Sequence, residues 1–321
     1  MATRKIKNTV ILVKPATIPG QDAVPTAAAN AVLVAEMSIT VLEAQNIERN
    51  NVRGSFGANA ELIGPSNVKI SLTVEMAGSG DAATPPAWGN LLLGCAMAEG
   101  ILTAPARVEY TPVSSGLKDL TIYYFDDGVL HKAIGAMGNC TLSAKVGERP
   151  MLKFEFTGVT GGDSATPNVV GDLVKWKTPV AMTRANVVDI TLGAAYAAGA
   201  LTGGDQVASN GLEINFGNEV QFIANLSTEK VDITERKASG SMELELTAAQ
   251  EVAMLALVRA NTLQSMGFTI GLSTGNKIIV AAPAMQMKNP KKVDVKGTRY
   301  IGYDLAFLPV AGNDELRLAS V

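Results

Sequence analysis

The stretch TIYYFDDGVLHKAIGAMG, residues 121–138, sets two apolar-rich arms around Asp126-Asp127-Gly128. FTIGLSTGNKIIVAAPAM, residues 268–285, repeats that layout around Ser273-Thr274-Gly275-Asn276. Asp, Asn and Gly tolerate the positive backbone φ of tight turns, so each stretch predicts a β-hairpin. The hairpin occurs twice in one chain, and its neighbours on both sides occur twice with it.

Upstream of each hairpin lies a strand that ends in acidic residues. In VKISLTVEM (68–76), Val68, Ile70, Leu72, Val74 and Met76 alternate with Lys69, Ser71, Thr73 and Glu75; in SGSMELELT (239–247), Met242, Leu244 and Leu246 alternate with Ser241, Glu243 and Glu245. Period two predicts strands with one packed and one polar face. A helix is expected directly after each. Trp88, Leu91, Leu92, Cys95 and Ala96 trace a helical stripe behind Thr84 and Pro85; Thr247 and Gln250 form a capping-box pair ahead of Val252, Leu255, Ala256 and Arg259. The second helix is apolar on more than one face and is expected to be largely covered by the sheet and by a neighbour.

Downstream of each hairpin comes another strand pair around a Gly-containing turn, CTLSAKVGERPMLKFEFTGV (140–159) and KKVDVKGTRYIGYDLAFLPV (291–310). Strand, helix, hairpin, hairpin therefore runs twice, which points to a tandem duplication. The chain is read as mainly β in an α+β arrangement: two similar β-sandwich or barrel domains, 1–160 and 187–321, each with one flanking α-helix, joined by a linker region, 161–186. Both halves also carry a long charged segment before the acid-ended strand, Glu43–Asn67 and Ser227–Gly240. Connections of that length are uncommon without a task of their own. The weakly polar run Ile190–Leu201 is too short and too Gly-rich to span a bilayer and reads as a loop.

The bulk properties narrow the function. With 321 residues the chain is comfortable as two domains, and 47% apolar residues against 18% charged ones fit extensive burial. A net charge of −3 gives no basic field to grip nucleic acid. The opening MATRKIKNTVILVKP has an apolar run too short for a signal-peptide core, so a cytoplasmic site of synthesis is expected.

Little catalytic chemistry is visible. His131 is the single histidine and no motif ties an acid to it; Cys95 and Cys140 form neither a metal quartet nor a disulfide framework, and are expected as buried thiols. GLSTGNK (271–277) lacks phosphate-loop spacing. Tyr123, Tyr124 and Phe125 sit beside Asp126 and Asp127, which makes a poor single-strand platform. The expectation is a structural protein without enzymatic activity or cofactor.

The block order, with the acid-ended strand running into GDAATPPAWGNLLLGCAM (80–97), resembles the major tail tube proteins of long-tailed bacteriophages. The resemblance implies a β-sandwich or barrel domain flanked by one helix, six such domains in a ring around a channel, and rings stacked into the tube that passes DNA. Three duplicated chains would then make a pseudo-hexameric ring. It further implies that Glu43–Asn67 and Ser227–Gly240 contact the next ring, through Arg49, Arg53, Phe56, Glu229, Lys230 and Arg236. Glu75, Glu243 and Glu245 become candidates to line the channel, where fixed negative charge discourages DNA from sticking. The partners implied are further copies of the chain, a tape-measure protein and tail terminator or baseplate proteins, in a virion tail assembled in the host cytoplasm, with no membrane and no specific DNA binding. Three other readings compete: a capsid-decoration or baseplate component that forms discrete oligomers, an enzyme built around Asp126, Asp127 and His131, and a secreted adhesin or pilin, which the short apolar run of the opening residues disfavours.

Overall fold

The computed structural model describes residues 3–321. Its first half runs through β1 (Thr9–Pro15), α1 (Ala27–Asn30), β2 (Ala31–Val32), β3 (Glu36–Ile47), β4 (Leu62–Glu75), α2 (Gly89–Leu93), β5 (Met97–Thr103), β6 (Ala106–Pro112), β7 (Leu120–Asp126), β8 (Val129–Lys145) and β9 (Met151–Ala165). The second half runs through β10 (Val187–Leu192), β11 (Ala195–Ala197), β12 (Ala200–Thr202), β13 (Asp205–Gln206), β14 (Ser209–Asn215), β15 (Asn218–Ala224), β16 (Glu229–Arg236) and β17 (Ser239–Leu244). It ends with α3 (Ala248–Arg259), β18 (Gln264–Ile270), β19 (Ile278–Val295), β20 (Thr298–Phe307) and β21 (Arg317–Ser320). Strands hold 53% of the residues and helices 8%, so the mainly-β reading stands.

Both quoted hairpins form. Asp127 (φ 43°) and Gly128 (φ 97°) turn β7 into β8, and Gly275 (φ 81°) lies between β18 and β19. The pairing order then repeats across the halves. In the first, antiparallel pairs link β1, β7, β8, β9, β4 and β3 in turn; in the second they link β10, β18, β19, β20, β17 and β14. These strands correspond one to one in chain order. Even an irregularity coincides: the β7–β8 ladder slips between Leu120 and Ile122, opposite Ala136 and Ala133, and the β18–β19 ladder slips between Gln264 and Met266, opposite Met285 and Ala282. The halves differ by insertion. The first adds the β5–β6 hairpin after α2, and the second adds the β15–β16 hairpin between β14 and β17, where the first has only the connection 48–61.

Two strand-to-strand joints bind the halves. The far part of β8 leaves β7 and pairs, along the same edge, with β14; Ser143 faces Met151 of β9 on one side and Glu213 of β14 on the other. The C-terminal β21 pairs with β6 of the first half and β19 of the second. One buried cluster accordingly runs through both halves, from Trp88, Leu142 and Phe154 to Met242, Tyr303 and Leu318. The first joint also produces a continuous ribbon in the order β3, β4, β9, β8, β14, β17, β20 and β19. Its inner face is the apolar set expected from alternation, including Ile70, Leu72, Phe154, Leu142, Ile214, Met242 and Leu305, all at most 2% exposed. The outer face is polar.

Three local expectations change. The stripe from Trp88 to Ala96 yields only five helical residues, because Ala96 takes a left-handed φ of 56° and Met97 already starts β5. The α3 helix is only partly covered within the chain: Met254 and Val258 pack against the core, but none of its residues is buried. Ile190–Leu201 is no loop, since it contributes the end of β10 and most of the small β11–β12 hairpin. The α3 capping box does form, with Thr247 Oγ1 accepting from the Gln250 N–H and Gln250 Oε1 accepting from the Thr247 N–H at 2.9 Å. A helix with little burial leans on its cap, so Thr247→Ala should cost about 1 kcal/mol in chemical denaturation while Thr247→Ser retains most of it.

Candidate functional site

Glu75 and Glu245 stand at matching places on the polar face. Val74 pairs with Leu152 and Leu244 pairs with Ile301, so the next residue outward is Glu75 in one half and Glu245 in the other. Glu243 instead matches Thr73. Glu75 pairs with Arg149, Glu243 accepts a hydrogen bond from Asn210 Nδ2 at 2.9 Å, and Glu245 accepts one from the Tyr300 hydroxyl at 3.1 Å. On the first half's share of this face Lys69 pairs with Glu43 at 2.7 Å and Lys153 with Glu155 at 2.6 Å, while Glu36 stands opposite Thr73. Toward the second half, Glu243, Glu245 and Asp304 bond to neutral Asn210, Tyr300 and Asn289. Lys288 and Lys291 of β19 share that face, opposite Asp304 and Gly302, and Lys145 lies 3.9 Å from Glu213, so the face carries both signs of charge in both halves.

The two long segments occupy matching positions between the corresponding strands, as arms of different build. The first is the far end of the β3–β4 hairpin with its connection; Arg49, Val52, Arg53 and Phe56 are exposed, Val52 and Phe56 completely. The second is not a loop through most of its length, because residues 229–236 form β16 and pair with β15. Glu229 and Lys230 lie exposed near its tip beside the fully exposed Leu226. Arg236 lies at its base with a side chain only 12% exposed, held by Glu315, by the Val113 carbonyl at 2.9 Å and by Asn313 Oδ1 at 3.1 Å. Gly217 turns β14 into β15 at φ 69°, where any side chain would strike the Lys237 carbonyl.

Both joints between the halves are polar networks that the sequence left unread. At the β8–β14 joint, Asn218 Nδ2 donates to the carbonyls of Cys95 (2.8 Å) and Gly138 (3.0 Å), and Asn139 Nδ2 donates to Asn215 Oδ1 at 2.7 Å. At the β6–β21 joint, Glu109 accepts from Arg107 Nε (2.6 Å), the Tyr196 hydroxyl (2.7 Å) and an Arg317 guanidinium nitrogen (3.1 Å). Burial there opposes ionisation of Glu109, but Arg107, Tyr196 and Arg317 outweigh it and hold the carboxyl below its ordinary pKa. The alternation of Arg107 and Glu109 along one strand was a usable signal. The distant Tyr196 and Arg317 left none.

The residues of the enzyme reading are tied into the surface. Asp126 pairs with Arg4, Asp127 accepts from Asn8 Nδ2 at 3.1 Å, and His131 Nδ1 lies 2.6 Å from Asp163, whose side chain is 57% exposed. Among the described residues no cluster of His, Cys, Asp or Glu could hold a metal, and no helix is long and apolar enough to cross a membrane. Cys95 and Cys140 are fully buried free thiols, with burial raising the pKa of both.

No curated relative matches the chain. A family model described as phage tail tube protein matches residues 7–308, which takes in both sets of corresponding strands, both arms and the β8–β14 joint, and ends before β21. That family is structural rather than enzymatic and its place is the tail of the virion. With nearly its whole length matched, the chain belongs to the phage tail tube protein family.

Proposed function

We propose that three copies of this chain close a ring with six quasi-equivalent positions, that rings stack into a hollow tube, and that DNA travels along the polar face. The observation that carries the ring is the repeated pairing order of the two halves, down to the shared slip in the hairpin ladder. Two like units in one chain, joined head to tail, are what a heterologous closing interface requires, and fusion halves the number of chains per ring. Tandem duplication is the simplest origin of the repeat. In this reading Glu75, Glu243 and Glu245 line the channel, where they repel phosphate without holding it. The arms carrying Arg49, Arg53, Phe56, Glu229 and Lys230 reach the next ring. The tube is assembled in the host cytoplasm and meets a tape-measure protein inside and terminator or baseplate proteins at its ends.

Negative-stain electron microscopy with light scattering on one sample tests this. The expected result is six-lobed rings of three chains, or hollow tubes built from them. Rings that never stack on concentration would turn the reading toward a decoration or baseplate component. A persistent monomer that fails to join tails in the presence of the other tail proteins would refute it.

A further inference from the structure

The two ends of the ribbon strands differ. The arms leave from one end, where β3 meets β4 at Ile47 and Leu62 and where β14 runs into β15. At the other end lie Glu75, the β8–β9 turn and the start of β14. A cavity of 540 Å³ opens there, bounded by Ala144 of β8, Val187 of β10, Ala208, Phe268 of β18 and Met182 of the linker region. Phe268 and Met182 are 2% and 4% exposed, whereas Ala208 and Val146 lie open at the rim. That volume falls within the range of about 300–1,000 Å³ of largely apolar sites that bury most of an occupant.

We propose that this cavity seats Phe56 of the β3–β4 arm from the adjoining ring. The proposal rests on the stacked-ring reading above and names the seat which that reading needs. Rings stacked in one polarity set the arm end of each against the arm-free end of the next. Phe56 and Val52 are fully exposed at the first end, and the apolar cavity is open at the second, so the two form complementary parts of one head-to-tail contact. The other arm is already engaged within its own chain. Val231 of β16 is 5% exposed, and residues 228–232 close a separate cleft against Ile134, Met137 and Val159 of the first half. Charge agrees with the choice of arm: Arg49 and Arg53 on it, and Glu148 and Asp189 beside the cavity, form no ion pair among the described residues. Arg184 shares the rim, but the two acids outnumber it, and opposite fields speed encounter and set the partner.

The seat occurs once per chain. Its wall needs Met182, which the β8–β9 turn holds by two backbone hydrogen bonds of 2.9 Å, from the Gly147 N–H to the Met182 carbonyl and from the Met182 N–H to the Glu148 carbonyl. Residues 3–8, which lead into β1 as 181–186 lead into β10, are tied instead to the β7–β8 turn through Arg4 and Asn8. A ring of three chains then offers three seats to three Phe56 arms, at alternate positions of the six. Stacking thereby fixes which half stands over which, a choice that six equivalent positions would leave open.

Ser55→Cys with Thr183→Cys puts one thiol beside Phe56 and one at the seat, and the two native cysteines are fully buried. Tubes treated with a short bismaleimide should give a denaturing-gel ladder that runs past three chains, because each link joins one ring to the next. Ser55→Cys with Lys296→Cys, in the β19–β20 turn that matches the β8–β9 turn, should cross-link at least about tenfold less, since effective concentration falls steeply away from the seat. Ala208→Trp, which plugs the rim, should leave rings intact and raise the concentration needed for tubes at least about tenfold. If that variant forms no rings, the cross-linking decides alone. Tubes that form normally without a ladder, an equal ladder from the Lys296→Cys pair, or an unchanged threshold for Ala208→Trp overturn the seat and leave the stacked-ring reading standing. Failure of the unmutated chain to form tubes removes the reading and the seat together.

Discussion

Glu109→Gln should lower the stability of the unassembled chain by about 2–4 kcal/mol at neutral pH. The value is the usual cost of breaking a buried ion pair, reduced because Arg317 is one-third exposed. The substitution keeps the shape and one acceptor oxygen, but leaves Arg107 with a side chain 12% exposed and no carboxylate. Glu109 also sits where β21 crosses from one half to the other, since Ala319 faces it in the ladder. The sign of the pH dependence follows from its lowered pKa. A carboxyl whose folded pKa is depressed contributes its full stability above the ordinary carboxylate value and loses it as pH falls through the folded one. The deficit of Glu109→Gln against the unmutated chain, measured by urea unfolding, should therefore be largest near neutrality and shrink as pH falls below the ordinary carboxylate range. A deficit independent of pH would mean that packing, not charge, accounts for the loss.

That cluster marks the limit of what the sequence makes legible. Strand positions are readable because a half-buried strand imposes period two, as in Val68–Glu75 and Leu152–Phe156, and a turn must place Gly or Asn at positive φ, as at Asp127-Gly128. Repeat order is readable for the same reason: it is a succession of local patterns. Helix length was not. Its stripe continued through Cys95 and Ala96, and only the tertiary demand that Met97 join β5 stops the helix at Leu93. The exposure of α3 was misread because an apolar helix looks the same whether its cover belongs to its own chain or to another. Among the candidate glutamates, the acid-ended pattern groups Glu75 with both Glu243 and Glu245, and only the ladder separates them. The joints are long-range by nature: Asn218 reaches Cys95, and Arg317 reaches Glu109, across segments whose separation carries no local signal.

Val52→Ser with Phe56→Ser should leave folding and ring formation intact and abolish tubes at concentrations where the unmutated chain elongates. Both side chains are fully exposed, so their replacement should move the unfolding midpoint by no more than about 0.5 kcal/mol. Burying a Val and a Phe against a neighbouring ring is worth about 1.5–3 kcal/mol each, and every 1.4 kcal/mol is about tenfold in affinity. One contact would thus weaken by about a hundredfold or more, and a ring loses one such contact for every chain it contains. The β15–β16 arm, with Leu226 at its tip, stays in place and cannot compensate for that sum. Sedimentation of tubes across a concentration series, with microscopy of the supernatant, reads the effect. Tubes of unchanged critical concentration would take the β3–β4 arm out of the stacking contact. Loss of rings along with tubes would place that arm inside the ring, beside the β3 edge it extends from.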